Sequence, residues 1–175
     1  DEMTAEWHAA YEAGVFTEFM EQRSPGHTVL DDKIYRKGFL DFKTDIQTAL
    51  DQLDFLNDPD AYDKQEQLKA MDISADTLIG YAKRHAAEAY HQAEQCRDPQ
   101  RRQELEQIAD ICERVPAYAP RTFWEALQYY WFVHVGVITE LNPWDAFNPG
   151  RLDQHLYPFF RREIDSGTLT EDRAR

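Results

Sequence analysis

The chain is poor in cysteine, in positive charge and in long uncharged runs, and each shortage closes off a class of function. Cys96 and Cys112 are its only cysteines, too few for a disulfide framework. The acidic start, DEMTAEWHAA, has no apolar run of the kind a secretory signal needs. A reducing, cytoplasmic setting is the expectation. Lys and Arg number 19 against 33 Asp and Glu, a formal net charge of −14. Such a surface does not attract nucleic-acid phosphate or an anionic membrane. GxGxxG, P-loop, GxSxG, HExxH and paired CxxC motifs are all absent, so nucleotide binding, serine hydrolysis and zinc chemistry have no signature here. Repeats and low-complexity runs are missing too. The stretch free of Asp, Glu, Lys and Arg between Glu125 and Glu140 is too short to span a bilayer and is read as a buried helix.

What is present is helical patterning in a chain of 175 residues, long enough for one core. Thr4 is placed to cap a helix through Ala13, with Trp7, Ala10 and Tyr11 on one face. Gly14–Phe19 reads as loop or continued helix. Arg23–Asp32, around Ser24-Pro25-Gly26, reads as a turn-rich loop. Ile46, Ala49, Leu50 and Leu53 predict a helix over Lys43–Phe55. Asp58-Pro59 and Asp98-Pro99 both have the cap-then-proline form of a helix start. The first predicts a long helix to about Arg97, with Leu68, Met71, Ile73, Ala75, Leu78, Ile79 and Ala82 apolar. The second predicts one through Arg114, with Leu105, Ile108, Ala109 and Cys112 as its buried stripe. Pro116 and Pro120 bracket a linker before the uncharged helix. A turn over Asn142–Asn148 and a helix over Gly150–Asp165 follow. Gly167 reads as a helix stop and Thr170 as a new start. Strand signals are weak. A start at Asp1 without methionine, and a helix cut off within a turn of beginning, point to a piece of something longer.

Two residues draw attention as chemistry. His27 follows a Pro-Gly turn in SPGHT. It is either a surface or locally hydrogen-bonded group, or an acid–base group, since imidazole titrates near neutrality. Asp145 stands between Trp144 and Ala146-Phe147. It is either a turn residue accepting backbone N–H bonds or a carboxylate whose proton affinity rises in aromatic surroundings. His85 and His91 are six apart on one helix and do not share a face; both are expected in solvent. His134 is expected as a satisfied core histidine. His155 is left between structural and interfacial roles. Residue patterns alone go no further than an acidic, mostly helical domain with one loop histidine and one near-buried aspartate.

GVFTEFMEQRSPGHTVLDDKIYRKGFLDFK (Gly14–Lys43) and FWEALQYYWFVHVGVITELNPWDAFNPGRLDQHLYPFF (Phe123–Phe160) resemble the N-terminal half of glycyl radical enzymes, in the dehydratase and eliminase branch of the pyruvate formate-lyase-like family. The resemblance covers essentially all of the chain, including DFLNDPDAY (Asp54–Tyr62). It implies that residues 1–175 are a single, mainly α fragment: part of the helical shell of a ten-stranded α/β barrel. It also implies that the whole enzyme carries a protein glycyl radical, installed by a separate activating enzyme that uses S-adenosylmethionine and an iron–sulfur cluster. The fragment itself is expected to bind no cofactor and no metal. Its partners would be a small-molecule substrate, the rest of its own polypeptide, the activating enzyme and, as is common in the family, a second copy.

By resemblance, three positions carry over. Phe19, in EFMEQR, matches an aromatic that packs on the substrate ring. His27, in PGHT, and Asp145, in WDAF, match pocket residues near the hydroxyl being eliminated, giving both substrate-binding and catalytic roles. EFMEQRSPGHT combined with TELNPWDAF implies dehydration of trans-4-hydroxy-L-proline to a pyrroline-5-carboxylate. Alternatives within the family are isethionate cleavage with sulfite release and glycerol or diol dehydration. Outside it, the alternative is a stand-alone helical binding module without activity. The chain departs from the family at its centre. Cys96 precedes Arg97-Asp98 and Cys112 precedes Glu113-Arg114, so neither fits Gly-Cys-x-Glu, and no Arg-Val-x-Gly-Tyr loop is present. This stretch alone is expected to be inactive.

Overall fold

The structure is a computed structural model that describes residues 4–15, 30–140 and 148–175. It is helical throughout: α1 (Ala5–Glu12), a 3-10 turn at Lys33–Tyr35, α2 (Phe39–Asp51), α3 (Ala61–Gln95), α4 (Pro99–Arg114), α5 (Phe123–Glu140), α6 (Leu152–Ser166) and α7 (Glu171–Ala174). The mainly α reading therefore holds, and no β-strand element occurs among the described residues. No helix among them is long and apolar enough to cross a membrane.

Local signals place most of the helix ends. Thr4 Oγ1 accepts from Trp7 N–H at 3.2 Å and starts α1. Asp98 Oδ1 accepts from Gln100 N–H at 2.9 Å, with Pro99 opening α4. Gly167, at φ 74°, stops α6 by donating back to its last turn, and Thr170 Oγ1 accepts from Arg173 N–H at 3.3 Å to start α7. Asp58-Pro59 acts differently from its twin. Its carboxylate accepts from Asp60 N–H at 3.0 Å and from Lys64 Nζ at 2.6 Å, closing a turn ahead of a helix that begins only at Ala61. The second helix also begins earlier than its periodicity predicts, at Phe39, because Asp41 Oδ2 accepts from Gly38 N–H at 2.9 Å and Phe39 is drawn into the core.

The long helices α3 and α4 lie against one another across the short Cys96–Asp98 turn. Of the apolar residues the sequence places on α3, Met71 and Ile73 are exposed. Ala75, Ile79 and Ala82 are buried as expected, and the stripe continues in alanine through Ala86, Ala89 and Ala93. Small side chains let the two backbones approach, so burial here follows residue size as much as hydrophobicity. Leu105, Ala109 and Cys112 answer from α4, whereas Ile108, expected inside, is exposed. Tyr90 O–H donates to Asp110 at 2.6 Å and ties the pair at its rim. On the other side of α3, Lys43 of α2 reaches Asp72 at 2.6 Å and Asp76 at 2.8 Å.

The main core gathers where α5 meets the 3-10 turn, α2 and α6, around Ile34, Phe39, Ala126, Tyr129, Val133 and Phe159. The aromatic-rich α5 is not buried all round. Its first part is buried along one face, Trp131 is 55% exposed, and no described residue after Val133 is fully buried.

The Pro116–Pro120 segment also differs from a surface linker. Val115 and Pro116 are fully buried. Pro116 and Ala117 accept, through their carbonyls, from Phe39 N–H at 2.8 Å and Leu40 N–H at 3.0 Å. Two otherwise unpaired donors at the start of α2 are thereby satisfied across the core. The approach is so close that a Cβ on Gly38 would lie 2.3 Å from Ala117 O and 2.4 Å from Tyr118 Cα. Gly38→Ala is therefore expected to destabilise the protein by about 1–3 kcal/mol, seen as a lower thermal midpoint. An unchanged midpoint would show that the segment yields.

Candidate active site

The three positions singled out by resemblance lie outside the described residues: Phe19 and His27 in 16–29, Asp145 in 141–147. What the structure describes is the frame from which those two segments leave and to which they return. The first leaves after Val15 and returns at Leu30; the second leaves from the end of α5 and returns at Asn148.

The return of the first segment is unusual. Leu30 and Asp31 both adopt left-handed backbone, at φ 55° and 47°. Aspartate tolerates this region, but a leucine there is an outlier that its surroundings must hold in place. Lys33 N–H donates to Leu30 O at 3.1 Å and closes the turn into Lys33–Tyr35, whose Ile34 and Tyr35 are buried. The return of the second segment is a short turn in which Asn148 Oδ1 accepts from Gly150 N–H at 2.8 Å, with Gly150 at φ 62°. It leads into α6.

The two returns meet. His155, in the first turns of α6, stacks on Tyr35 with centroids 5.1 Å apart and planes 19° from parallel. Its Nε2 lies 3.4 Å from Asp31 Oδ1, and that buried nitrogen makes no hydrogen bond among the described residues. The distance allows an ion pair when the ring is protonated, but the alignment is not that of a hydrogen bond. Phe159, one turn on, supports Tyr35 at 6.4 Å. Burial pushes the Tyr35 phenol up to about 12, with Tyr130 adding to it, so its hydroxyl stays protonated at any physiological pH. Asp31 lies four residues beyond His27, and His155 ten beyond Asp145. Sequence reasoning left His155 undecided and passed over Asp31; a histidine in the first turns of the helix after WDAF was the available signal.

The other titratable groups have local explanations. Tyr130 O–H and His134 Nδ1 are 3.1 Å apart, and Trp131 stacks on the same imidazole; His134 is satisfied, as expected. His85 and His91 are exposed, also as expected. His85 does line a cleft of about 290 Å³ between α3, α4 and α5, together with Cys112, Trp131 and Phe132. Burial first, then Glu113, pushes the Cys112 thiol up to about 11, which leaves it protonated and a poor nucleophile. Among the described residues no cluster of His, Cys, Asp and Glu is arranged to hold a metal ion.

Residues 1–175 match the pyruvate formate lyase-like family. The chain belongs to that family. It is 57% identical to a trans-4-hydroxy-L-proline dehydratase of Clostridioides difficile, over 99% of this chain and 22% of that enzyme. It is 36% identical to an isethionate sulfite-lyase of Nitratidesulfovibrio vulgaris, over 82% of this chain and 17% of the lyase. Its fold superposes with a TM-score of 0.88 on the crystal structure of hydroxyproline dehydratase from Clostridioides difficile with trans-4-hydroxy-L-proline bound. There the identity is 57%, over 98% of this chain and 22% of that one. The chain thus spans about a fifth of the length of the family members it matches. Of these relatives, the hydroxyproline dehydratase stands well above the sulfite-lyase in likeness.

Proposed function

We propose that the intact protein dehydrates trans-4-hydroxy-L-proline to a pyrroline-5-carboxylate, and that residues 1–175 form one wall of its pocket within the helical shell of the barrel. The observation that carries this reading is the 57% identity, with a TM-score of 0.88, to a hydroxyproline dehydratase, against 36% to an isethionate sulfite-lyase. A sulfonate pocket and a pyrrolidine pocket ask for different walls, and likeness along nearly the whole chain favours the second.

The radical that starts the reaction is supplied from outside this stretch. Neither Cys96 nor Cys112 stands in Gly-Cys-x-Glu, and the buried, protonated thiol of Cys112 is not placed for such a role. A glycyl radical, installed by an S-adenosylmethionine- and iron–sulfur-dependent activating enzyme, removes hydrogen by way of a cysteine elsewhere in the polypeptide. Homodimer formation and a cytoplasmic setting belong to the same reading.

The work of this wall is the elimination. Once a hydrogen atom leaves the carbon beside the ring nitrogen, the neighbouring C–OH bond breaks, the oxygen departs as water, and the product radical is quenched by a hydrogen atom returned from the cysteine. Departure as bare hydroxide is slow, and an acid at hydrogen-bond distance supplies the missing proton. His27 and Asp145 are assigned to that oxygen, with the carboxylate favouring the charged imidazolium. Phe19 is assigned to the face of the pyrrolidine ring. The Asp31–His155 contact supports this assignment, because it draws together the chain just after His27 and the helix that follows Asp145.

The test is to offer the activated full-length protein trans-4-hydroxy-L-proline, isethionate and glycerol in parallel. Pyrroline carboxylate from the first, without sulfite from the second or aldehyde from the third, is the expected result. Sulfite release, or no reaction with hydroxyproline, would overturn the assignment.

A further inference from the structure

We propose that the cleft between α3, α4 and α5 is a docking site for an apolar segment of the polypeptide outside residues 1–175, with Trp131 and Ile108 at its rim. The inference rests on the reading that residues 1–175 are part of a longer chain, and not on the substrate assigned above. Three observations carry it.

The first is the makeup of the cleft, which has a volume of about 290 Å³. Leu105, Cys112 and Phe132 are buried along it, while Ile108 of α4 and Trp131 of α5 stand 40% and 55% exposed. Tyr81 of α3 meets Phe132 edge to face at 5.8 Å. Among the described residues Glu88 is the one charged side chain that lines the cleft, and its carboxylate accepts from Gln92 Nε2 at 2.7 Å. Walls of this kind match apolar side chains rather than an ion. The second is the pattern of charge. Between Glu125 and Glu140 α5 carries no Asp, Glu, Lys or Arg on any side. A helix stretch of that composition is built to be covered all round, yet Trp131 stays open. The neighbouring α4 shows the opposite character away from the cleft, with Arg101, Glu104 and Asp110 exposed. The third is the extent of the chain. Residues 1–175 match 22% of the hydroxyproline dehydratase, so most of a family member's chain lies outside this piece. A segment tied to the cleft by its own backbone acts at an effective concentration that a separate partner rarely reaches. A permanent cover also suits an apolar surface that would otherwise invite aggregation. Both reasons favour the chain's own remainder over a second copy.

The full-length protein, with or without its radical, provides the test. Ile108→Cys lies in the cleft, and Glu104→Cys lies one turn earlier on the same helix and outside it. Within residues 1–175 the two positions are similarly open, at 40% for Ile108 and 46% for the Glu104 side chain. Maleimide labelling, read by peptide mass at each position, is expected to be about tenfold or more slower at Ile108→Cys, because a covered thiol reacts only through local opening. His85→Cys, from α3 across the cleft, gives the same reading should Ile108→Cys not fold. A photoreactive benzophenone amino acid in place of Trp131 then identifies the cover. The expected crosslink lies within one chain and joins Trp131's position to a peptide outside residues 1–175. Equal labelling at the two positions, no crosslink, a crosslink to a second copy, or one back into residues 1–175 would each overturn the proposal. A parent protein that does not dehydrate hydroxyproline would remove the functional reading alone, since labelling and crosslinking are read without turnover.

Discussion

His27→Ala and Asp145→Asn should each lower dehydration of trans-4-hydroxy-L-proline by about 10²–10⁴-fold in the full-length protein, while the yield of installed radical stays at the parent level. The size follows from the step affected. Breaking C–O without a proton on the oxygen expels hydroxide, and a positioned acid removes most of that penalty. Alanine at 27 takes away the imidazole altogether. Asparagine at 145 keeps the shape and a hydrogen-bond acceptor but loses the negative charge that favours imidazolium. If the two act as one proton-donating unit, the double variant falls little below the worse single. Phe19→Ala, by contrast, should weaken binding more than chemistry, because ring packing is present before and after the C–O bond breaks. Near-parental turnover in both His27→Ala and Asp145→Asn would remove these residues from the mechanism and leave proton delivery to another part of the barrel.

The second large effect is on stability. Glu125 lies in the first turn of α5 and is the buried carboxylate among the described residues. One of its oxygens accepts from Arg121 N–H at 2.6 Å and from Arg114 Nε at 3.2 Å. Arg114 in turn donates to Ala119 O at 2.9 Å. One carboxylate thus joins the end of α4, the proline-bracketed segment and the start of α5. Thr122 Oγ1 accepts from Glu125 N–H at 3.1 Å, so the residue is held by its backbone as well. Glu125→Leu would fill the space but leave a guanidinium and a backbone N–H without their acceptor. Breaking a buried pair from one side costs about 3 kcal/mol. The Arg114 side chain is 22% exposed, so water relieves part of the loss and the lower end of the usual range applies. The expected results are a lower thermal midpoint and faster amide exchange at the α4–α5 junction. Glu125→Gln, which keeps an acceptor, should lose less. Equal midpoints for leucine and glutamate would show that the carboxylate is not what holds the junction.

Both predictions draw on residues that differ in how legible they were. Asp98-Pro99 and Gly167 acted as their types promised, because a cap is a contact between neighbours and its partners lie within a few positions of it. Asp58-Pro59 has the same letters and a different outcome, because Lys64 and Asp60 N–H compete for that carboxylate. The exposed Met71, Ile73 and Ile108, beside a buried Ile79 and a run of buried alanines, show that hydrophobicity alone does not decide which face of a helix is covered. The expected linker became part of the core for a related reason. Its carbonyls satisfy donors at a helix start that lies far earlier in the chain, and nothing in either segment names the other.

The sequence by itself determined the helical class, most of the caps and the family, and it proposed Phe19, His27 and Asp145 as pocket residues by resemblance. These are properties of short spacings and contiguous motifs. Only the tertiary structure decided that Gly38 must admit the Ala117–Tyr118 backbone, that Glu125 joins two helices through Arg114, and that Asp31 touches His155. Each of those is a meeting between segments well apart along the chain, or a matter of which side chain a turn presents. Such meetings are set by how helices pack, and a single sequence carries no local mark of them.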